Sequence, residues 1–600
     1  MMMGSQFNNN SKYAEDGLFI MSIMAILLVL LNLGYGAGNQ DLYSKWFPII
    51  NIVAFAFLFW RIFLNWKSRK LQTRYYAGQT FILALTLLAI LSELFFHKLM
   101  LQIKVTSNTS LSAVIYHTIF IFLFLEEVSN RLFAIKKTAI NGPFLLIISF
   151  VFIILIGSLL LMLPSATVRP ISYVDALFTS TSAVCVTGLV VLDTAKDFTL
   201  LGQWIILLLI QLGGLGILTF TNLFGLIFSG NTSFQNQMFI QSMLNVDNLN
   251  DALKALVRIV TITLIIEAIG ALLIFFTVER GIFDSGWSRV FFSVFHSISA
   301  FCNAGFSTLG NDNLYHPSVR FAYNFHLVIA FLIVFGGIGF GILLNILQYI
   351  KEAGLKWYSN FVQHKPYRHK PQIIHLNTRI VVITTVLLLL TGTVFYYVFE
   401  YNNALAEHTT TYGKMVQSFF GSVTPRTAGF NTVDIAKLTI PTLMIYLLLM
   451  WIGGSPGSTA GGIKTSVFAV ATLNILNAIR GKERLETANR EIEITSVNRV
   501  FAIISLSLIA VGTSITLMVI KDGHKFDLLK IAFECFSALG TVGLSMGITP
   551  TLTDFSKLVL VVTMFIGRVG FISIMIGILK LFTREREKRY RYPKEELFIT

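Results

Sequence analysis

The stretch TSTSAVCVTGLVVLD, Thr179 to Asp193, is a run of small and apolar residues that reaches a glycine, Gly188, followed by Leu189. Three more stretches have the same form: HSISAFCNAGFSTLG (His296–Gly310), FGSVTPRTAGFNTVD (Phe420–Asp434) and ECFSALGTVGLSMGI (Glu534–Ile548). Their glycines, Gly188, Gly305, Gly429 and Gly543, each precede Leu or Phe and stand 117, 124 and 114 residues apart. Four copies at so constant a separation mark an internal pseudo-repeat.

Around these copies the composition is that of a membrane protein. Of 600 residues, 54% are hydrophobic and only 13% charged, with a mean hydropathy of +0.71. Soluble domains carry about 25% charged residues, so an all-α polytopic membrane protein is expected, without a separate soluble domain. The net charge of +15 is spread over short basic clusters between apolar spans. That is the positive-inside pattern of cytoplasmic loops rather than a nucleic-acid-binding surface. Cys185, Cys302 and Cys535 all lie in the repeats, without a CxxC or a histidine at ligand spacing, and read as buried thiols. The opening MMMGSQFNNNSKYAEDG lacks the basic start of a signal peptide, so the first apolar span is expected to be retained.

A hydrocarbon core of about 30 Å requires roughly 20 apolar residues per helix. Four such spans precede the repeats, near 17–35, 46–65, 78–97 and 110–127, and form an N-terminal unit over 1–142. Arg61 and Glu93 stand isolated within it, and no span carries arginine at every third position as a voltage sensor would, so an accessory packing role is expected. From there each repeat reads as a span, a short amphipathic segment ending at the glycine, and a second span. The segments are 143–163, 173–185 and 203–228 in repeat 1 (143–255), and 257–278, 289–302 and 325–350 in repeat 2 (256–378). They are 379–400, 412–424 and 438–479 in repeat 3 (379–498), and 499–520, 528–540 and 556–582 in repeat 4 (499–583). The middle segments are too short to span and suit re-entrant half-helices, which survive at membrane depth only where protein buries them or a wet cavity runs past.

Basic clusters at Lys67–Arg74, Lys351–Arg379, Arg480–Arg490 and in the tail 584–600 fall on one side if each repeat crosses twice. Twelve crossings follow, with both termini cytoplasmic and the glycines facing outward. Four extended loops around one axis could then supply rings of backbone carbonyls in place of a cation's hydration shell. Glycine gives the backbone freedom that such a loop needs, and each half-helix aims its partly negative C-terminal end at the cavity. The expected linings are Val186, Thr187 and Gly188; Asn303, Ala304 and Gly305; Thr427, Ala428 and Gly429; and Thr541, Val542 and Gly543. The blander alternative, small residues for close helix packing, would explain one such glycine but not four in register.

The motifs CVTGL, CNAGF, RTAGFN and GTVGLS, each inside a span–half-helix–span unit, resemble the Trk/Ktr/HKT superfamily of potassium transporters from about residue 140 to 582. The resemblance implies four units around one pore per subunit, a homodimer in the cytoplasmic membrane, and potassium as the transported ion. It also implies regulation by a separate cytosolic ring protein that binds nucleotides. No organic cofactor is expected, since the chain has neither a Walker motif nor a GxGxxG. In plant relatives serine at the first filter glycine goes with sodium preference, so Gly188 implies potassium. The absence of a GYG pattern leaves room for imperfect discrimination against sodium.

A second stretch, GGSPGSTAGGIK over 453–464, places Gly453, Gly454, Ser455, Gly457, Ser458, Gly461, Gly462 and Lys464 inside the apolar run 438–479. Its glycines and proline break any helix there, either as a kink for crossing helices or as a mobile loop below the filter. In the family this position is the intramembrane gating loop. Arg568, mid-span in FIGRVGF, is a functional candidate by its charge alone, and in the family an arginine there lies beside the loop and limits conduction. Glu267 and Glu534 either bind a coupling ion or hold backbone amides or an arginine. Asp193 and Asp434 either gather cations at the mouth or cap their loops.

Potassium uptake down the membrane potential is the leading function, with sodium coupling and proton coupling open. A membrane hydrolase built on GSPGS with His296 or Ser299 would leave the fourfold repeat unexplained. A purely structural or sensing subunit is the third reading. The chain is not expected to be an enzyme.

Overall fold

A computed structural model describes residues 2–34, 46–67, 142–216, 249–361 and 374–570, except 284, 311–312, 483 and 488–489. Short pieces between 82 and 127 and at 574–575 complete it. Helices α1 (Met2–Gly34) and α2 (Trp46–Lys67) pack against each other. The expected spans at 78–97 and 110–127 fall largely outside the described residues, as does the basic tail 584–600. Arg61 is not isolated: it is 1% exposed and forms a buried ion pair with Glu127. A lone guanidinium in an apolar bundle would carry a large desolvation cost, which the carboxylate offsets.

Repeat 1 comprises α3 (Gly142–Leu161), α4 (Tyr173–Val184) and α5 (Leu200–Leu215); repeat 2 comprises α6 (Leu249–Thr277), α7 (Gly286–Phe301), α8 (Tyr323–Ile338) and α9 (Phe340–Phe361). Repeat 3 comprises α10 (Leu376–Glu400), α11 (Thr411–Val423), α12 (Ile440–Trp451) and α13 (Thr465–Ile479). Repeat 4 comprises α14 (Ile494–Asp522), α15 (Leu528–Gly540) and α16 (Asp554–Val569). The half-helices α4, α7, α11 and α15 have 12, 16, 13 and 13 residues. At 1.5 Å per residue they are too short to cross a bilayer.

Three of the four half-helices start on a hydroxyl cap. The Asp175 amide donates to Ser172 Oγ at 3.1 Å, Ser285 and Ser288 form a reciprocal capping box, and the Gly413 amide donates to Thr410 Oγ1 at 3.1 Å. Such caps satisfy orphan amides of the first turn and fix where the re-entrant segment begins. The opening helices are apolar toward the outside: α6 exposes Leu264, Leu272 and Phe276 while burying Thr263 and Glu267. This inside-out arrangement suits a lipid surround.

The second spans differ from expectation. The runs 203–228, 325–350 and 556–582 read as single spans, and a break is expected only within 438–479, at the 453–464 loop. Instead α5 stops at Gly216 (φ 81°), α8 at Gly339 (φ 97°) and α16 at Gly570 (φ 86°). The α8–α9 pair bends by 102°, and α12 gives way to the 453–464 loop. A left-handed glycine ends a helix at no steric cost, so a continuous apolar run need not be a continuous helix. Among the described residues, four helices are long and apolar enough to cross a membrane, and the bent pair makes a fifth.

Candidate functional site: four glycines in a closed ring

The four repeats meet at their glycines. A Cβ built on Gly188 would lie under 3.0 Å from the carbonyl oxygen of Ala304. One on Gly305 would meet that of Ala428, one on Gly429 that of Val542, and one on Gly543 that of Thr187. Each glycine thus abuts the backbone of the next repeat, and the fourth abuts the first. The ring closes with repeats 1 and 3 opposite each other, and likewise 2 and 4.

Its backbone alternates in hand. Val186 (φ 56°), Asn303 (φ 61°), Thr427 (φ 75°) and Thr541 (φ 49°) are left-handed, the next residue is not, and the glycine is left-handed again, at 88°, 68°, 76° and 92°. Three of these four non-glycine residues are β-branched, for which positive φ is a marked outlier. Such a backbone persists only when its surroundings over-determine it. A half-helix hydroxyl does that in every repeat. Ser182 Oγ donates to Leu189 O at 2.7 Å and accepts from Gly188 N at 3.0 Å. Ser299 Oγ donates to Phe306 O at 2.8 Å, Gly543 N donates to Ser537 Oγ at 3.1 Å, and Thr424 donates to Phe430 O.

A second set of glycines lies below. A Cβ on Gly213, Gly336 or Gly567 would come under 3.0 Å from the carbonyl oxygens of Val184, Phe301 and Leu539, each four residues before a ring glycine. The second helices therefore press against the C-terminal ends of the half-helices before breaking. In three repeats the break reads GGLG (213–216), GGIG (336–339) and GGSP (453–456), while in the fourth it reads GRVG (567–570), so Arg568 stands where the others have glycine.

The 453–464 loop is fastened to this break. Gly453 N donates to Ile463 O at 2.8 Å, Ser455 N to Gly337 O at 3.0 Å, and Phe340 N to Gly457 O at 3.0 Å. Thr459 Oγ1 donates to Phe301 O at 3.1 Å, Ser458 Oγ to Ser455 O at 2.6 Å, and Lys464 Nζ to Ala460 O at 2.6 Å. Gly461 faces the Thr541 side chain and Gly462 faces Gly540. The Arg568 guanidinium donates to Thr459 O on the loop and to Gly213 O in repeat 1. Arg568 and the loop are therefore in direct contact. Thr459 and the glycine breaks at 213–216, 336–339 and 567–570 were not singled out from sequence, although the recurring glycine pairs carried the signal.

The remaining candidates take structural partners. Glu267 accepts from Gln211 Nε2 at 3.1 Å on both oxygens, and Glu534 accepts the Met546 amide at 3.2 Å. Asp193 accepts the Ala195 amide at 2.9 Å and Asp434 that of Ala436 at 3.1 Å, as loop caps do. Ser299 bonds the Phe306 carbonyl while His296 faces Ser307, so the two do not pair. Cys185, Cys302 and Cys535 are free and buried.

Apolar helices in four repeated units, gathered on one ring of backbone, define a polytopic membrane transport protein rather than an enzyme. The family model of TrkH, a cation transport protein, matches residues 111–590, and the chain belongs to that family. It is 37% identical over 470 residues to the Ktr system potassium uptake protein B of Bacillus subtilis, covering 77% of this chain and 98% of that protein. It is 34% identical over 455 residues to the potassium/sodium uptake protein NtpJ of Enterococcus hirae, covering 75% of this chain and 95% of that one. The crystal structure of the potassium transporter TrkH from Vibrio parahaemolyticus shares the fold, with a TM-score of 0.59 at 18% identity over 86% of this chain and all of that one.

Proposed function

We propose that the protein takes up potassium across the cytoplasmic membrane, through a single-chain pore whose selectivity filter is the ring at Gly188, Gly305, Gly429 and Gly543. The closed ring carries this reading: four backbone segments of alternating hand, each against the next, are what a cage of carbonyl oxygens needs. The lining residues are Val186–Gly188, Asn303–Gly305, Thr427–Gly429 and Thr541–Gly543. The membrane potential drives the ion inward. The 453–464 loop with Arg568 forms the constriction below, supported by the bonds of Arg568 to Thr459 and Gly213. The chain divides into an N-terminal unit and four repeats, has both termini in the cytoplasm, pairs as a homodimer, and answers to a cytosolic nucleotide-binding ring protein.

Expression in a bacterium deficient in potassium uptake tests the reading. Growth at low potassium is the expected result, and failure to grow despite membrane insertion would overturn it. A second reading, entry of sodium with potassium, is favoured by the absence of a GYG pattern in the ring and by the name of the E. hirae relative. Sodium uptake in the same strain separates the two.

A further inference from the structure

Glu534 and His296 occupy one position of their half-helices, nine residues before the ring glycine, and Ser545 and Ser307 both stand two residues after it. The structure makes the same bond in both repeats. His296 Nδ1 faces the Phe292 carbonyl at 2.9 Å, so it carries the proton, and Nε2 accepts from the Ser307 hydroxyl at 2.9 Å. The Ser545 hydroxyl donates to Glu534 Oε1, while the Met546 amide and Thr549 Oγ1 donate to the same carboxylate at 3.2 and 2.9 Å. Each serine also accepts an amide two residues on, Leu309 N at 3.1 Å and Gly547 N at 2.9 Å.

Repeats 1 and 3 lack the device. Thr179 and Phe420 stand at the half-helix position, and Val190 and Asn431 follow the glycine. The Thr179 hydroxyl has no hydrogen-bond partner among the described residues. The ring is thus clamped at two opposite corners, while the other two are held by the half-helix hydroxyls and by backbone bonds such as Thr187 N to Ser182 O and Ala428 N to Thr424 O. His296 and Glu534 are each 0% exposed, and Ser545 is half-buried.

We propose that Glu534 and His296 are positioning residues that set the ion discrimination of the ring, an inference that rests on the filter reading above. A carbonyl cage selects a larger cation only while it resists closing on a smaller one. The backbone just outside each glycine fixes where the outer oxygens stand, and in repeats 2 and 4 that backbone is tied to a half-helix side chain. Neither residue touches the ion; both act through Ser307 and Ser545.

The test measures rubidium and sodium fluxes in proteoliposomes for Ser545→Ala, Ser307→Ala, their double variant and Glu534→Ala, with Thr179→Ala and Gly188→Ser alongside. The serine variants delete one hydroxyl each without opening a large cavity, so they keep the test valid if Glu534→Ala fails to fold. The expected result is a rubidium-to-sodium ratio reduced about tenfold in Glu534→Ala, reduced less in each serine variant and more in the double. Thr179→Ala should leave the ratio unchanged. A double serine variant with an unchanged ratio, while Gly188→Ser lowers it, overturns the clamp and leaves the filter standing. An unchanged ratio in Gly188→Ser overturns both.

Discussion

Val186, Thr427 and Thr541 sit in a backbone conformation that costs a β-branched residue about 1–3 kcal/mol. Their sequence gives no hint of it, since Val and Thr favour extended backbone. The glycines two residues later were legible, but only because they recur four times; a single one would have read as helix-packing sequence. Gly188 has the sharpest prediction. A side chain there would point into the Ala304 carbonyl oxygen, so Gly188→Ser should displace the ring between repeats 1 and 2. The expected outcome is a rubidium-to-sodium uptake ratio lowered about tenfold or more, measured in cells depleted of potassium.

At the scale of elements, the half-helices were legible to within about three residues, because each is a short amphipathic segment that ends at a recurring glycine motif. The broken second helices were not. Their apolar runs continue past Gly216, Gly339 and Gly570, and hydropathy does not register a left-handed glycine. The loop at 453–464 was legible from its glycines and proline, whereas its fastening to Gly336, Gly337 and Phe301 depends on packing between repeats. Arg568→Ala removes two bonds that tie the loop to its surroundings, so rubidium uptake should rise several-fold. Unchanged uptake in that variant and in a loop deletion would remove the constriction from the account.

The segment between α10 and α11 carries a pH prediction. His408 is 1% exposed, and its Nδ1 lies 3.0 Å from Tyr323 Oη. Burial, with Arg320 and Lys414 nearby, lowers its pKa to about 4. The unfolded chain therefore binds a proton more readily than the native one, so the histidine's contribution is present above about pH 6.5 and is lost as pH falls toward 4. Thermal unfolding of the purified protein should show Tm falling more steeply over that window than in His408→Gln. Parallel curves would contradict the assignment.

For the molecule as a whole, the four units belong to one chain, and this lets the repeats diverge. Repeat 4 places Arg568 where the others have glycine, and repeat 3 extends its break into a loop. Repeats 2 and 4 clamp the ring while repeats 1 and 3 do not. The sequence showed the fourfold plan and the repeat-3 loop through its motifs, but not the bonds of His296 to Ser307 and of Glu534 to Ser545, which depend on how each half-helix packs against its loop.

We propose a potassium path through the ring that the membrane potential alone can drive. Radiolabelled rubidium flux into proteoliposomes, under an inside-negative potential and with neither a sodium nor a pH gradient, tests it most directly. Rubidium should accumulate, and the accumulation should disappear when the potential is collapsed. Accumulation only when a sodium or proton gradient is imposed would contradict it.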